Sequence, residues 1–397
     1  MTGHLLAAGD PLFDHGLNFL VILIVIIKVL VVFGALMTAV MLMIWFERKV
    51  ISDMQARIGP NRAGPYGLLQ SLADGIKLFF KEDLIPDRAD RFVFKLAPYL
   101  SILPAFLAFA IVPVGHPVTI GGHHFDLQLA DPPVGILFLL AMSSISVYGV
   151  MLAGWSSGSK YPLLGAVRAS AQMISYEAAL GLSVVTVVLA SGTLSTARLV
   201  ADQSHIFLAS WNMVRLGVVP FAIFFIAVTA ETNRPPFDMV EADTELVGGF
   251  VTEYSSIRFA LFFMAEFMNT ITMSAVVVTL FLGGPDGPTP HIYLLQEIVP
   301  VLWFVGKTLA FLFVAVWLRG ALPRLRYDQL MDLGWKVLIP VSLGWLLLVA
   351  SVMAWHWWAL AVLAGLVLVG VGLGRGFRVG ALRQDDAAAA PQPEVTR

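Results

Sequence analysis

The sequence predicts an all-α fold, a polytopic transmembrane helix bundle of about nine spans with an amphipathic helix on its cytoplasmic side. Three observations predict it. Hydrophobic residues make up 58% of the 397-residue chain and charged residues 13%, with a mean hydropathy of +0.81; such a composition leaves too little polar surface for a water-soluble globule. Several apolar runs exceed the roughly 20 residues that carry a helix across a bilayer. Basic residues crowd into alternate connections between those runs, as expected of a multi-pass protein with a positive inner side.

The elements follow in order. The apolar run from Leu17 to Phe46 is too long for a signal-peptide core and has no basic stretch before it, so it reads as a retained first span over 16–46. The first large connection is rich in Arg and Lys, including Arg48, Arg57, Arg62, Lys77 and Lys81. Within it Leu68, Leu69, Leu72, Ile76, Phe79 and Phe80 fall on one side of a helix, and Gln70, Asp74, Lys77 and Lys81 on the other. That pattern suits a helix lying in the membrane interface, read either as an ordinary surface helix or as the rim of a lipid-accessible cavity. Further spans are expected over 96–114, 134–154, 171–190, 214–230, 257–282, 298–318, 333–355 and 358–374. Pro-Gly clusters such as Gly283-Gly284-Pro285-Asp286-Gly287-Pro288 fill the turns. The opposite set of connections holds only Arg198 and Arg215, which puts the amino terminus outside and the first large loop in the cytoplasm. A ninth span returns Arg375, Arg378 and Arg383 to the cytoplasm. Residues 1–382 read as a single integral membrane domain, and 383–397, rich in Ala, Pro, Gln and Asp, as a disordered tail.

The chemistry-bearing residues concentrate after the fifth span, in Ala230-Glu231-Thr232-Asn233-Arg234-Pro235-Pro236-Phe237-Asp238, followed by Glu241, Asp243, Glu245 and Glu253. Ionisable groups at the edge of an apolar segment are expensive to keep and mark ion pathways or buried sites. The bland alternative is a solvated acidic loop, but the interleaved apolar residues suit a segment that folds back into the protein. Glu177 and Glu266 lie inside apolar spans, either hydrogen-bonded as helix glue or poised for proton transfer. Lys28 and Lys307 are also deep in spans; the first can snorkel, and the second reads as a buried ionisable relay. His116, His123 and His124 share an outer loop with Asp126, a spacing too unspecific to predict a metal site. The chain has no cysteine, which excludes a disulfide framework, a Cys-ligated zinc site and a thiolate-held iron–sulfur cluster within it. No nucleotide fingerprint, nucleophile triad or nucleic-acid patch is present. The Gly-Pro-Asn-Arg-Ala-Gly-Pro turn at 59–65 lacks the Gly-Lys-Ser/Thr ending of a phosphate loop.

Four blocks closely resemble the quinone-proximal membrane subunits of bacterial respiratory complex I, the proton-translocating NADH:quinone oxidoreductase. They are Glu47 to Asp83, Ser159 to Gly181, Ala230 to Glu266, and Arg326-Tyr327-Asp328-Gln329-Leu330 with Lys336. The resemblance implies an all-helical subunit between the membrane arm and the soluble arm. It implies ubiquinone as substrate, no metal or iron–sulfur cluster in this chain, and no redox activity of the chain alone. The implied partners are the soluble quinone-site and iron–sulfur subunits, the antiporter-like membrane subunits and the lipid bilayer. Carried over to this sequence, Glu47, Arg48, Arg57, Asp74, Arg234 and Phe237 would border the quinone chamber. Glu177, Glu231, Asp238, Glu241, Asp243, Glu245, Glu253 and Glu266 would couple quinone reduction to proton movement. Two other classes stay open on the residues alone. One is a homologous membrane subunit of a hydrogenase-type complex; the other is a stand-alone proton or cation transporter.

Overall fold

The computed structural model describes residues 19–120, 123–204, 208–238, 247–289 and 293–354, together with residue 365. They fall into two units, one running through Ser342 and one from Leu343 onward. Among the described residues seven helices are long and apolar enough to cross a membrane, and Val218–Glu231 is a shorter apolar helix. The ninth expected span and the tail lie outside the described residues, apart from residue 365.

Helix α1 (Phe19–Met54) is followed by a short 3₁₀ turn (Pro65–Gly67) and by α2 (Gln70–Phe80). The expected first span ended at Phe46, where the apolar run stops; the helix runs on to Met54. A change from apolar to charged residues marks the edge of the membrane and does not end a helix, since Glu, Arg and Lys are good helix formers. As a result Glu47 and Arg48 sit on α1 and not in a loop. The amphipathic helix α2 lies where the sequence places it. It is clipped to α1 by Ser71 Oγ, which donates to Met41 O (2.9 Å), and the 3₁₀ turn before it by Trp45 Nε1, which donates to Tyr66 O (3.0 Å).

Helix α3 (Arg91–Phe109) starts at an Asp90 cap whose carboxylate accepts from the Phe92 and Val93 amides, two of the donors a helix start leaves without partners. It tolerates Pro98 and Pro104 inside. An antiparallel hairpin of β1 (Val118–Ile120) and β2 (His123–Phe125) follows, short enough to leave the all-α class intact. Helix α4 (Gly135–Ser156) packs on α3 and on α5 (Lys160–Ser191). Helix α5 begins at Lys160 where the sequence suggested Ala171. Pro162 falls in its first turn, where the missing amide has no helical partner to lose. The helix ends at Gly192, whose left-handed φ of 67° lets its amide reach Val188 O. The short helices α6 (Thr196–Gln203) and α7 (Asn212–Arg215) lead into α8 (Val218–Glu231), and a 3₁₀ turn (Gly249–Val251) precedes α9 (Ser256–Phe281). The chain continues through α10 (Tyr293–Ala321), α11 (Tyr327–Asp332), a π-helical turn (Leu333–Leu338) and α12 (Ile339–Ala354).

Helix α9 is the central post of the first unit. In its most apolar stretch 72% of residues are buried, against 11% for α1, which leaves α1 with an outward apolar face. One core cluster joins Phe94, Val147, Met173, Phe250 and Phe262, and a second joins Leu36, Met43, Phe267, Ile271 and Val316. Tyr254, just before α9, stacks on Phe94 with ring centroids 4.0 Å apart and donates to Phe94 O. Burial pushes its phenol up to about 12, so it remains a donor at working pH. Close approach between α5 and the 3₁₀ turn depends on Gly165, where a Cβ would sit 2.7 Å from Gly249 Cα.

Candidate functional site

The site forms where α1, α8, α9 and α10 bring four charged side chains together. The last turns of α1 carry Glu47, which is 4% exposed. The turn after α8 carries Arg234, which is 2% exposed. Arg234 Nη1 pairs with Glu47 Oε2, and Arg319, in the last turn of α10, pairs with Glu47 Oε1. Arg234 Nε lies 3.4 Å from Glu266 Oε1 on α9, and its guanidinium sits over the Phe267 ring at 4.4 Å from the centroid. Two cations thus face two anions. Buried charges persist only with such compensation, because desolvation of either member alone costs several kcal/mol, on the order of the pair attraction itself.

The turn that presents Arg234 is tightly wound. The Thr232 amide donates to Val228 O (3.0 Å), the Arg234 amide to Thr229 O (3.2 Å) and the Phe237 amide to Arg234 O (2.9 Å). Asn233 takes a positive φ of 51°, a conformation that Asn tolerates better than most residues. The Pro235–Pro236 peptide is cis. Leu325 N donates to Pro236 O (3.0 Å), which ties the turn to the segment after α10.

A cavity of about 90 Å³ opens beside this cluster. Glu231, Asn233, Arg234, Asp238, Glu266, Asn269 and Arg319 supply its polar side, and Met142, Met173, Phe250, Phe259, Phe262 and Phe263 its apolar side. Mostly apolar walls with a few convergent polar groups suit a hydrophobic ligand that carries a polar head. Two carboxylates meet neighbouring serines of α4: Ser143 donates to Glu231 Oε1, and Ser144 donates to Glu177 Oε1. Glu231 Oε2 is buried and has no hydrogen-bond partner among the described residues.

The expected site residues are distributed unevenly. Glu47, Arg234 and Glu266 form the ion cluster; Glu231 and Asp238 line the cavity. Glu177 is half-buried one helix away, on α5. Arg48 and Asp74 pair at 2.6 Å between α1 and α2, with Gln70 Nε2 donating to the same carboxylate at 3.2 Å. Arg57 is exposed and donates to Gln55 Oε1 (2.6 Å). Phe237 is buried with its ring 5.4 Å from that of Tyr176. Glu253 is half-buried after the 3₁₀ turn. Glu241, Asp243 and Glu245 lie outside the described residues. Sequence reasoning missed Arg319, Ser143 and Ser144. Arg319 ends an apolar run, where a basic residue signals only the edge of a span; the serines are adjacent hydroxyls in a mostly apolar span, a weak signal.

Lys307 has a different setting from the one its sequence context suggests. Its Nζ donates to Leu282 O (2.7 Å), Gly284 O (3.0 Å) and Asp286 O (2.7 Å), and lies 4.6 Å from the Trp211 ring centroid. All three of its donors meet backbone carbonyls at the end of α9, where unpaired carbonyls and the helix dipole favour a cation. Nearby, burial raises the Asp286 carboxyl above its ordinary value, with the His116 and Lys307 charges acting the other way.

These features define a class: a polytopic helical membrane protein with a charge-compensated, partly apolar cavity among its spans. The sequence model of a family described as NADH dehydrogenase matches residues 27–350. The H subunit of the NADH-quinone oxidoreductase of Frankia casuarinae is 55% identical over 331 residues, covering 83% of this chain and 72% of the relative. The corresponding H subunit of Frankia alni is 55% identical over 323 residues (81% and 70%), and that of Streptomyces avermitilis 52% identical over 336 residues (83% and 73%). The chain belongs to the family of NADH-quinone oxidoreductase H subunits. It is therefore a multi-pass membrane component of an enzyme complex that acts on a quinone together with other subunits, not a stand-alone transporter.

Proposed function

We propose that this subunit forms much of the chamber through which ubiquinone reaches its reduction point from the bilayer, and that the carboxylates around the chamber couple reduction to proton translocation. The observation that carries this reading is the cavity itself, with Arg234, Arg319 and Glu266 at one wall, Glu47 paired to both arginines behind it, and aromatic and methionine side chains at the other wall. A quinone head needs donors and an aromatic surface, and its isoprenoid tail needs apolar walls. The face of α2 supports a lipid-accessible mouth: Phe79 and Phe80 are 71% and 85% exposed in the isolated chain, an arrangement that suits acyl chains and not water. Electrons arrive from an iron–sulfur cluster on soluble partner subunits, and antiporter-like membrane subunits take up the coupled proton movement. When the quinone accepts two electrons and two protons, the charge and proton demand in the chamber change. Glu231, Glu177, Asp238, Glu253 and Glu266, together with Glu241, Asp243 and Glu245, respond by exchanging protons.

Arg319 offers the direct test, because it lines the cavity with 28% of its side chain exposed. In the assembled complex Arg319→Gln is expected to raise KM for a short-chain ubiquinone by about tenfold, with kcat changed less, the pattern of lost binding to the substrate. An unchanged KM, together with a photoreactive quinone analogue that never labels this subunit, removes the reading.

In the same reading the amino terminus lies in the periplasm and the carboxy terminus in the cytoplasm of a bacterial inner membrane. The native chain has no cysteine, so single-cysteine labelling is clean. With His356→Cys or Ala389→Cys, a membrane-impermeant maleimide is expected to label position 356 in intact cells, and position 389 only after the membrane is opened. Labelling of 389 in sealed cells overturns the orientation.

A further inference from the structure

Gln172 grips both ends of the turn that carries Glu231, Arg234 and Asp238. It lies on α5 and is fully buried. Its Nε2 donates to Ala230 O at 2.8 Å and to Phe237 O at 2.7 Å. Ala230 immediately precedes Glu231, and Phe237 immediately precedes Asp238, so the two carbonyls bracket the turn. A carboxamide nitrogen has two hydrogens, and these two bonds use both; Asn233 Oδ1, at 3.4 Å, is a longer third neighbour. Carbonyls accept and never donate, so the amide must face them with its nitrogen. Its oxygen is left over: Gln172 Oε1 is buried without a hydrogen-bond partner among the described residues. An orphaned buried acceptor is unfavourable, and Met or Leu would fill the same space without it. One turn further along the same helix, Tyr176 packs its ring against Phe237, so α5 holds the far end of the turn twice. Gln172 itself is not among the residues that line the cavity.

We infer that Gln172 is a positioning residue for the quinone chamber. By fixing the separation of the Ala230 and Phe237 carbonyls it sets the turn that aims Arg234 at Glu47 and Glu266 and holds Glu231 against Ser143. It acts through Arg234 and Glu231 and has no contact with substrate. This inference rests on the chamber reading above, and the experiment separates the two.

Membranes carrying the whole complex are prepared with Gln172→Met, which keeps length and loses both donors, and with Gln172→Glu, which keeps shape and replaces the donating nitrogen. Arg234→Gln and the double variant Gln172→Met/Arg234→Gln complete the set. Quinone reduction with a short-chain ubiquinone is normalised to NADH oxidation by a water-soluble electron acceptor, which reports the amount of assembled complex. Both Gln172 variants are expected to raise KM by about tenfold with a smaller fall in kcat. The double variant is expected to stay within about threefold of Arg234→Gln alone, because residues that act through one another are not additive. A double variant whose loss is the product of the two single losses overturns the inference. So does failure of both Gln172 variants to assemble, which would make Gln172 a folding residue. Wild-type KM in both Gln172 variants with Arg234→Gln impaired removes this inference alone, whereas wild-type KM in Arg234→Gln removes the chamber reading itself.

Discussion

Replacing Glu47 with leucine is expected to reduce the amount of correctly assembled complex by about a hundredfold or more, the equivalent of the roughly 3–5 kcal/mol lost when one partner of a buried ion pair is removed. Glu47 pairs with both Arg234 and Arg319. Without it both guanidinium groups lose this partner, and Arg234 keeps its 3.4 Å contact with Glu266. Arg319 retains 28% exposure and can turn to water, but Arg234 retains 3% and cannot. Glu47→Gln keeps hydrogen-bond acceptance and should lose less. The decisive comparison is Glu47→Leu/Arg234→Met. Removing both charges replaces the most buried pair by apolar side chains, which is often neutral to stability, and leaves Arg319 and Glu266, 28% and 30% exposed, able to reach water, so assembly should recover while quinone reduction does not. Native gels of membrane extracts, read beside quinone-reductase activity, check both halves. Wild-type assembly of the Glu47→Leu single variant would show that the ion cluster does not hold α1 to α9 and α10.

The second large effect is expected at Glu231. Glu231→Gln should leave assembly within about twofold of wild type and lower proton translocation by at least about tenfold, a size in keeping with the loss of one essential proton-transfer group. The side chain keeps its shape, and Ser143 can still donate to the amide oxygen. What is lost is the capacity to take up and release a proton in the cavity wall. Glu231 and Glu177 are served by consecutive hydroxyls of α4, so two helices offer carboxylates to one short stretch of a third. Glu177 is half-buried where Glu231 is 1% exposed, and water can substitute more readily there; Glu177→Gln is expected to have the smaller effect. Dye-quenching in inverted vesicles measures the pumping, and NADH oxidation with quinone measures the turnover that drives it. Pumping at the wild-type rate in Glu231→Gln would exclude Glu231 from the coupling path.

The placement of Lys307 shows how little of a residue's setting its local sequence reports. A lysine within an apolar run is conspicuous in sequence, and ionisable groups in spans are functional more often than not. Here three backbone carbonyls at the end of α9 take all its donors. Those carbonyls belong to residues 282–286, more than twenty positions earlier, and nothing in the local sequence reports that the chain returns to them. Gln172 is the converse. Its neighbours in sequence suggest an ordinary polar position, and only the fold brings Ala230 and Phe237 to either side of its amide.

What the sequence determined by itself was set by local and periodic physics. Unbroken apolar runs of about 20 residues fix where helices can cross the bilayer, because a helix satisfies its backbone hydrogen bonds within the one segment. The spacing of apolar and charged residues over 68–81 fixes α2 and its exposed face. The carboxylates and arginine between Ala230 and Glu266, set against apolar flanks, mark a candidate site before any contact is known. Tertiary structure alone decided which charges meet. Glu47 and Arg319 are 272 positions apart, and Ser143 and Glu231 are 88 apart. Ion pairing and hydrogen bonding in a low-dielectric interior depend on distances of a few ångströms, and helix packing sets those distances. A helix also continues past the membrane edge for as long as its backbone bonds close, which is why Glu47 ended on α1, buried against Arg234, and not in the loop where hydropathy would leave it.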